Sequence, residues 1–203
     1  MDDCVVIALF RHGVTEANKR RAYLGWSDSP LCPEAKSLSP KKDYGAYFSS
    51  DLARCAETAQ FMFPNTSPVY LQEFREMSFG EWEGKTYEDL KDHKLYRHWL
   101  SEPFRYNPPN GESFQEFTSR VDAGWKTLTT AIFSKNIHRC AVITHGGVIR
   151  YLLTAYAQEV KDFWDWNIPH DAGVELTFSR EGLRRGERCI LLQEVPLTAK
   201  ELG

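Results

Sequence analysis

Val5 to Phe10 is an unbroken apolar run rich in β-branched residues, too short for a helix and suited to a strand buried on both faces. Ala141 to Thr144 is a second run of the same kind. Elsewhere the apolar positions recur at helical steps. Phe114, Phe117, Val121, Trp125, Leu128 and Ile132 are spaced by three and four, with Ser113 and Glu116 placed as a capping box at the start. Leu52, Ala56, Ala59 and Phe63 follow a Ser49-Ser50-Asp51 cluster that can supply a cap, and Val148, Ile149, Leu152, Leu153 and Tyr156 mark a further helix. Two late strands, Val174 to Phe178 and Cys189 to Val195, are separated by the turn-like Arg180 to Arg188. Strands alternating with helices predict an α/β fold: a single three-layer αβα domain over 1–203, with a mainly parallel sheet flanked by helices. In such sheets ligands bind beyond the carboxyl ends of the strands. The polar, aromatic stretch Phe79 to Gly111, with one short helix near Tyr87 to Leu100, reads as an excursion over the site.

Composition narrows the function classes. A chain of 203 residues, 42% hydrophobic, buries enough surface to fold without a disulfide framework or a structural metal. Its net charge of −3 argues against affinity built on neutralising nucleic-acid phosphates, though it allows a local basic pocket. Met1 to Phe10 lacks the basic flank of a leader peptide, and no apolar run reaches the length of a membrane span. Five cysteines without a CxxC pair fit a reduced, cytoplasmic chain, a monomer or homodimer, with Cys4, Cys140 and Cys189 as small core residues. The 13% aromatic content is left over by these considerations.

The candidate chemistry lies where the two apolar runs end. One gives Arg11-His12-Gly13 and the other His145-Gly146-Gly147, each entering a helix pattern. Two imidazoles then share one rim of the sheet. Gly146 lets backbone approach a ligand at a helix start, whose free N–H groups favour an anion. Arg11 and Arg54 can face the same rim, and their forked guanidinium groups match phosphate oxygens. Neutral histidine is a nucleophile toward phosphorus. The leaving oxygen needs a proton, and Glu73 and Glu76 are the carboxylates in an apolar, aromatic setting; the spacing does not choose between them.

These residues carry a resemblance. Leu9 to Asn18 (LFRHGVTEAN), Ser49 to Arg54 with Glu57-Thr58-Ala59, Arg75 to Gly84 (REMSFGEWEG), Asn110 to Ser113, and Thr144 to Gly147 resemble, in order, the motif blocks of the histidine phosphatase superfamily, the phosphoglycerate-mutase-like fold. The resemblance implies that His12 is phosphorylated in turnover and that Arg11, Asn18, Arg54 and His145 hold the phosphoryl oxygens. It also implies that Glu76 is the proton donor, with no metal and no cofactor. Two departures stand out: Cys32-Pro33-Glu34-Ala35-Lys36 replaces the usual continuation after Gly25 to Leu31, and the connection to Ser49 is short, so the helix expected there is trimmed or irregular.

Mutases of the family resemble one another in a Thr or Ser before the glycine corresponding to Gly25 and in paired arginines in the excursion. Here Leu24 stands at the first, and Arg97 and Arg105 are not adjacent. Hydrolysis of a small phosphomonoester is therefore the expected activity, and the α-ribazole phosphatase branch has the most similar motifs. A broad-specificity phosphatase, a phosphoglycerate mutase and a non-catalytic phosphoryl-binding protein are the alternatives. Gly25 and Trp82 are the expected substrate contacts, with Phe79, Tyr87, Tyr96, Trp99 and Phe104 completing an apolar wall. His93, His98, His138 and His170 match no ligand spacing; His170 stands apart because it lies in a Pro-bounded loop.

Overall fold

A computed structural model describes residues 4–199. The first three residues of the Met1 to Phe10 stretch, whose sequence lacks a leader's basic flank, lie outside the described residues. The elements are β1 (Cys4–Arg11), α1 (Glu16–Lys19), β2 (Leu38–Pro40), β3 (Ala46–Ser49), α2 (Ala53–Met62), β4 (Val69–Tyr70), α3 (Tyr87–Leu90), α4 (Lys94–Ser101), α5 (Phe114–Ser134), β5 (Arg139–Thr144), α6 (Gly146–Tyr156), β6 (Ala172–Ser179), α7 (Arg180–Arg185) and β7 (Leu191–Ala199).

The strands form one sheet in the order β2-β7-β6-β1-β5-β3-β4. The α/β layering is as expected, but the sheet is mixed rather than mainly parallel. β1, β5, β3 and β4 run parallel, whereas β6, β7 and β2 pair antiparallel on the other side of β1. Part of the antiparallel half comes from Arg180 to Arg188, which is more than a turn. It holds α7, capped by the Ser179 hydroxyl and closed by Gly186 in the left-handed region, and so short a connector returns the chain beside its own strand.

β1 is buried on both faces, as its sequence predicts. Val5, Ile7 and Leu9 pack with Val121, Trp125 and Leu128 of α5 and Val148 and Leu152 of α6. Ala8 and Phe10 face Cys55, Ala59 and Met62 of α2 on the opposite side. Each large side chain so buried contributes roughly 1.5–3 kcal/mol. The Ser113–Glu116 capping box of α5 forms in full. The cap expected for α2 does not: Leu52 is the N-cap and makes no side-chain bond, while Ser50 Oγ is shared between the Leu52 N–H (3.4 Å) and His145 (2.9 Å). Pro33–Lys36 is one 3-10 turn, followed by β2, in line with the irregular connection expected there.

The excursion contains two short helices, α3 and α4, rather than one. Its two ends are pinched together, Glu81 N–H donating to the Pro109 carbonyl (3.0 Å) and Glu112 N–H to the Ser78 carbonyl (3.0 Å). Gly80, at φ +50°, makes this possible, since a Cβ there would sit 2.2 Å from the Pro109 carbonyl oxygen. Trp82, Leu90, Tyr96 and Trp99 give the excursion a small core of its own. Among the described residues no helix is long and apolar enough to cross a membrane.

Candidate active site

β1 and β5 are hydrogen-bonded neighbours in parallel register, with Arg11 opposite Thr144. The ladder continues one step beyond, His12 N–H donating to the Thr144 carbonyl (2.9 Å). The two histidines that follow the strands are thereby set side by side, their ring centroids 5.2 Å apart. His12 lies 2.8 Å through Nδ1 from the Gly13 carbonyl. A carbonyl only accepts, so Nδ1 carries the proton and Nε2 keeps its lone pair. Burial, reinforced by the charges of Arg54 and Arg11, holds the His12 pKa well below the usual imidazole value, so the ring is neutral at pH 7. The fully buried His145 is lowered for the same reasons, burial first and then Arg54. Ser50 Oγ (2.9 Å) and Cys55 Sγ (3.4 Å) fix its Nε2.

Both expected arginines reach this rim. Arg54, only 1% exposed, is anchored from α2 to the carbonyls of Gly25 (2.5 Å) and Ser27 (2.9 Å) and to Asp28 (3.3 Å). Arg11 donates to the Ile168 carbonyl (2.8 Å), and burial lowers its pKa, with nearby Glu76 opposing the shift. The Nε of each arginine is buried without an acceptor, which leaves cationic donor capacity that the protein itself does not use.

Between the two candidate carboxylates the structure is decisive about position. Glu73 does not line the cavity, whereas Glu76 does, beside His12 and Arg11. Glu76 Oε2 accepts from the Gly147 N–H at the start of α6 (3.0 Å), and Oε1 from the Met77 N–H (3.0 Å). Gly147 is required for this approach, because a Cβ there would lie 2.2 Å from Glu76 Oε1. The neighbouring Arg75 pairs with Asp51 rather than with Glu76. Gly146 is the first residue of α6 and packs against the Arg11 guanidinium. Asn18 lines the cavity too. Its Oδ1 takes the backbone N–H (3.1 Å) and hydroxyl (3.0 Å) of Thr15 in a capping box, which leaves its amide NH2 as the end for a ligand.

The cavity above His12 measures about 590 Å³. Its apolar wall differs from the one expected. Phe79 and Trp99 line it, but Trp82 and Tyr96 do not; they are buried in the excursion's own core, because a segment of this length must bury rings of its own to hold a shape. Tyr87 and Phe104 are more than half exposed. Gly25 also lies outside the lining, its carbonyl serving Arg54. The rest of its aromatic wall comes from Tyr23, Phe114, Phe117, Phe163 and Trp164, which are scattered through the sequence and share no motif.

Two further polar residues join the site. Arg150 lines the cavity, one turn beyond Gly147 on α6. His170 donates through Nδ1 to the His12 carbonyl (2.7 Å), its ring 5.5 Å from that of His12. The helical spacing from Gly147 could have pointed to Arg150; for His170 only its Pro-bounded loop gave a hint.

The family described as the histidine phosphatase superfamily, branch 1, matches residues 7–185 of this chain. A relative from Hydrogenobacter thermophilus, provisionally named phosphoserine phosphatase 2, is 33% identical over 181 residues, spanning 82% of this chain and 85% of the relative. The adenosylcobalamin/alpha-ribazole phosphatase of Salmonella typhimurium is 32% identical over 156 residues, spanning 71% of this chain and 76% of its own. The crystal structure of the alpha-ribazole phosphatase from Shigella flexneri shares the fold, with a TM-score of 0.77 and 22% identity over 96% of this chain and 95% of that one.

Proposed function

The chain belongs to the histidine phosphatase superfamily, branch 1, and on that premise we propose that it hydrolyses phosphomonoesters through a phosphohistidine on His12. The observation that carries this reading is the buried, neutral His12, its Nδ1 proton committed to Gly13 and its Nε2 lone pair free beside Arg11 and Glu76. Nε2 attacks phosphorus and the ester P–O bond breaks. The protonated Glu76 carboxyl gives its proton to the departing alkoxide. In the second step the Glu76 carboxylate takes a proton from water as that water's oxygen attacks phosphorus, breaking the P–N bond and releasing phosphate. Arg11, Arg54, His145 and the Asn18 amide stabilise charge on the phosphoryl oxygens, with no metal taking part.

The alcohol portion is bulky and at least partly aromatic, since a ring-lined cavity of about 590 Å³ adjoins the phosphoryl site and indole, phenol and phenyl faces dominate its wall. An α-ribazole 5′-phosphate fits that description, and one relative bears the corresponding name. Arg150 at the cavity wall favours a second reading, a carboxylate-bearing ester such as phosphoserine, which the name of another relative suggests. A mutase would need to shield its phosphohistidine from water.

The experiment is a rapid acid-free quench with labelled substrate. An acid-labile, base-stable phosphoenzyme is expected in the wild type and is absent in His12→Ala, together with loss of hydrolysis. Hydrolysis at the wild-type rate by His12→Ala would sink the mechanism. Relative kcat/KM over α-ribazole 5′-phosphate, phosphoserine and 3-phosphoglycerate, with chelator present, decides the substrate class.

A further inference from the structure

Arg120 lies on α5, outside the cavity lining, and none of the five motif blocks contains it. Its guanidinium nonetheless gathers the segment that carries Glu76. Nη1 donates to the carbonyls of Glu73 (2.9 Å) and Arg75 (2.9 Å), and Nη2 to the carbonyl of Glu76 itself (3.1 Å). Nε and Nη2 form a fork on Glu112, at 2.7 Å to each carboxylate oxygen. A guanidinium has five N–H donors, and these bonds commit all of them. None is left for a substrate, so Arg120 cannot be a ligand; what it holds is backbone.

The clamp is braced from two sides. Glu112 also accepts from the Ser78 N–H (2.9 Å), which ties the other side of the Glu76 segment to the same carboxylate. The Trp26 indole donates to the Glu76 carbonyl (2.8 Å), and the guanidinium carbons of Arg75 and Arg120 lie 5.2 and 5.6 Å from its ring centroid. The Arg120 and Glu112 side chains are 17% and 14% exposed, so this ion pair is sheltered from solvent, and each partner is satisfied by further hydrogen bonds, the condition under which such a pair holds geometry.

We infer that Arg120, held by Glu112, is a positioning residue for Glu76: it fixes the carbonyls on either side of the carboxylate so that the proton meets the leaving oxygen. The inference rests on the reading of Glu76 as the proton donor. A lysine cannot take the role, because an ammonium has three donors and no planar fork.

The test uses leaving-group dependence. An aryl ester such as p-nitrophenyl phosphate departs without needing a proton, whereas an alkyl phosphate needs one, and kcat/KM reports the step in which the leaving group departs. Glu76→Gln and Arg120→Lys are each compared with wild type on both esters. Misplacing the donor should cost Arg120→Lys about 10- to 100-fold in kcat/KM for the alkyl ester, with the aryl ester changed by less than about threefold and vanadate affinity kept. If Glu76→Gln is selective for the alkyl ester and Arg120→Lys is not, Arg120 has no positioning role. If Glu76→Gln is not selective either, the proton-donor reading fails and the inference falls with it. Should Arg120→Lys not fold, as judged by circular dichroism and thermal unfolding, Glu112→Gln keeps the guanidinium, weakens its fork, and must show the same selectivity at smaller amplitude.

Discussion

The chemistry proposed for His12 depends on one hydrogen bond and two neighbouring charges. The Gly13 carbonyl selects the tautomer, and burial with Arg54 and Arg11 keeps the ring neutral, so its nucleophilic form needs no base to generate it. The proposed acid, Glu76, depends equally on a residue with no side chain. Gly147→Ala places a methyl group where Glu76 Oε1 stands, so the carboxylate must swing away and give up the Gly147 N–H. A fall of about tenfold in kcat/KM for alkyl phosphates is expected, with the phosphoenzyme still forming from p-nitrophenyl phosphate. Unchanged alkyl-ester kinetics would show that the carboxylate works from another position. At this scale the sequence was most readable where chemistry and backbone coincide. His12, His145, Gly146 and Arg11 sit at strand ends that hydrophobic runs announce. Choosing Glu76 over Glu73 needed the family motif, because both residues occupy one polar-apolar mixture and only three-dimensional placement separates them.

Among the elements, the excursion divides its aromatic residues between two tasks, and the division separates stability from selectivity. Trp82 is the centre of the segment's own core, in contact with Tyr96 and Trp99. Trp82→Ala should destabilise the protein by about 3–5 kcal/mol, read as a shifted urea midpoint. Trp99 both belongs to that core and lines the cavity, so the milder Trp99→Phe should instead raise KM for bulky aromatic phosphoesters while leaving that for a small alkyl phosphate nearly unchanged. Equal KM changes for both esters would remove Trp99 from specificity. Pattern alone predicted an excursion here but not this division, since rings that bury one another and rings that line a cavity have the same hydropathy. The short strands β3 and β4 escaped notice for a related reason: four and two residues are too few for a period to register. The long amphipathic α5 and its capping box were legible in full, because periodicity and cap agree there.

For the molecule as a whole, the three imidazoles of the site set a pH limit on the fold. The pKa values of His12 and His145 are held well below 6.5, and that of His170 is lowered to about 4, in each case chiefly by burial. Unfolding releases each ring to its ordinary value. Below about pH 6.5 the unfolded chain therefore takes up protons that the native protein refuses, and stability falls as pH drops toward the native pKa values. Each imidazole contributes a slope of roughly 1.4 kcal/mol per pH unit within that window. Thermal unfolding should show a midpoint that declines steadily from pH 6.5 to 4, and His170→Asn should make the decline shallower. A midpoint flat between pH 6.5 and 5 would mean that these rings are protonated in the native state. The sheet as a whole was only half legible from sequence. A buried run announces a strand but not its direction, and the antiparallel β6–β7 pair follows from the short helix α7, which the polar stretch after β6 disguises as a turn.

The register of β1 against β5 bears on how such a site can change. Adjacent strands lie about 4.8 Å apart, and the two imidazoles that follow them are separated by 5.2 Å. The spacing of the two imidazoles in the proposed phosphoryl site is thus close to that of the backbone ladder that carries them. The excursion and the loop bearing Phe163 and Trp164, by contrast, present aromatic side chains to the cavity. The molecule is built as a fixed gauge with an interchangeable fitting: its oxyanion is set once by the sheet, and new leaving groups can be accommodated by re-cutting the fitting alone.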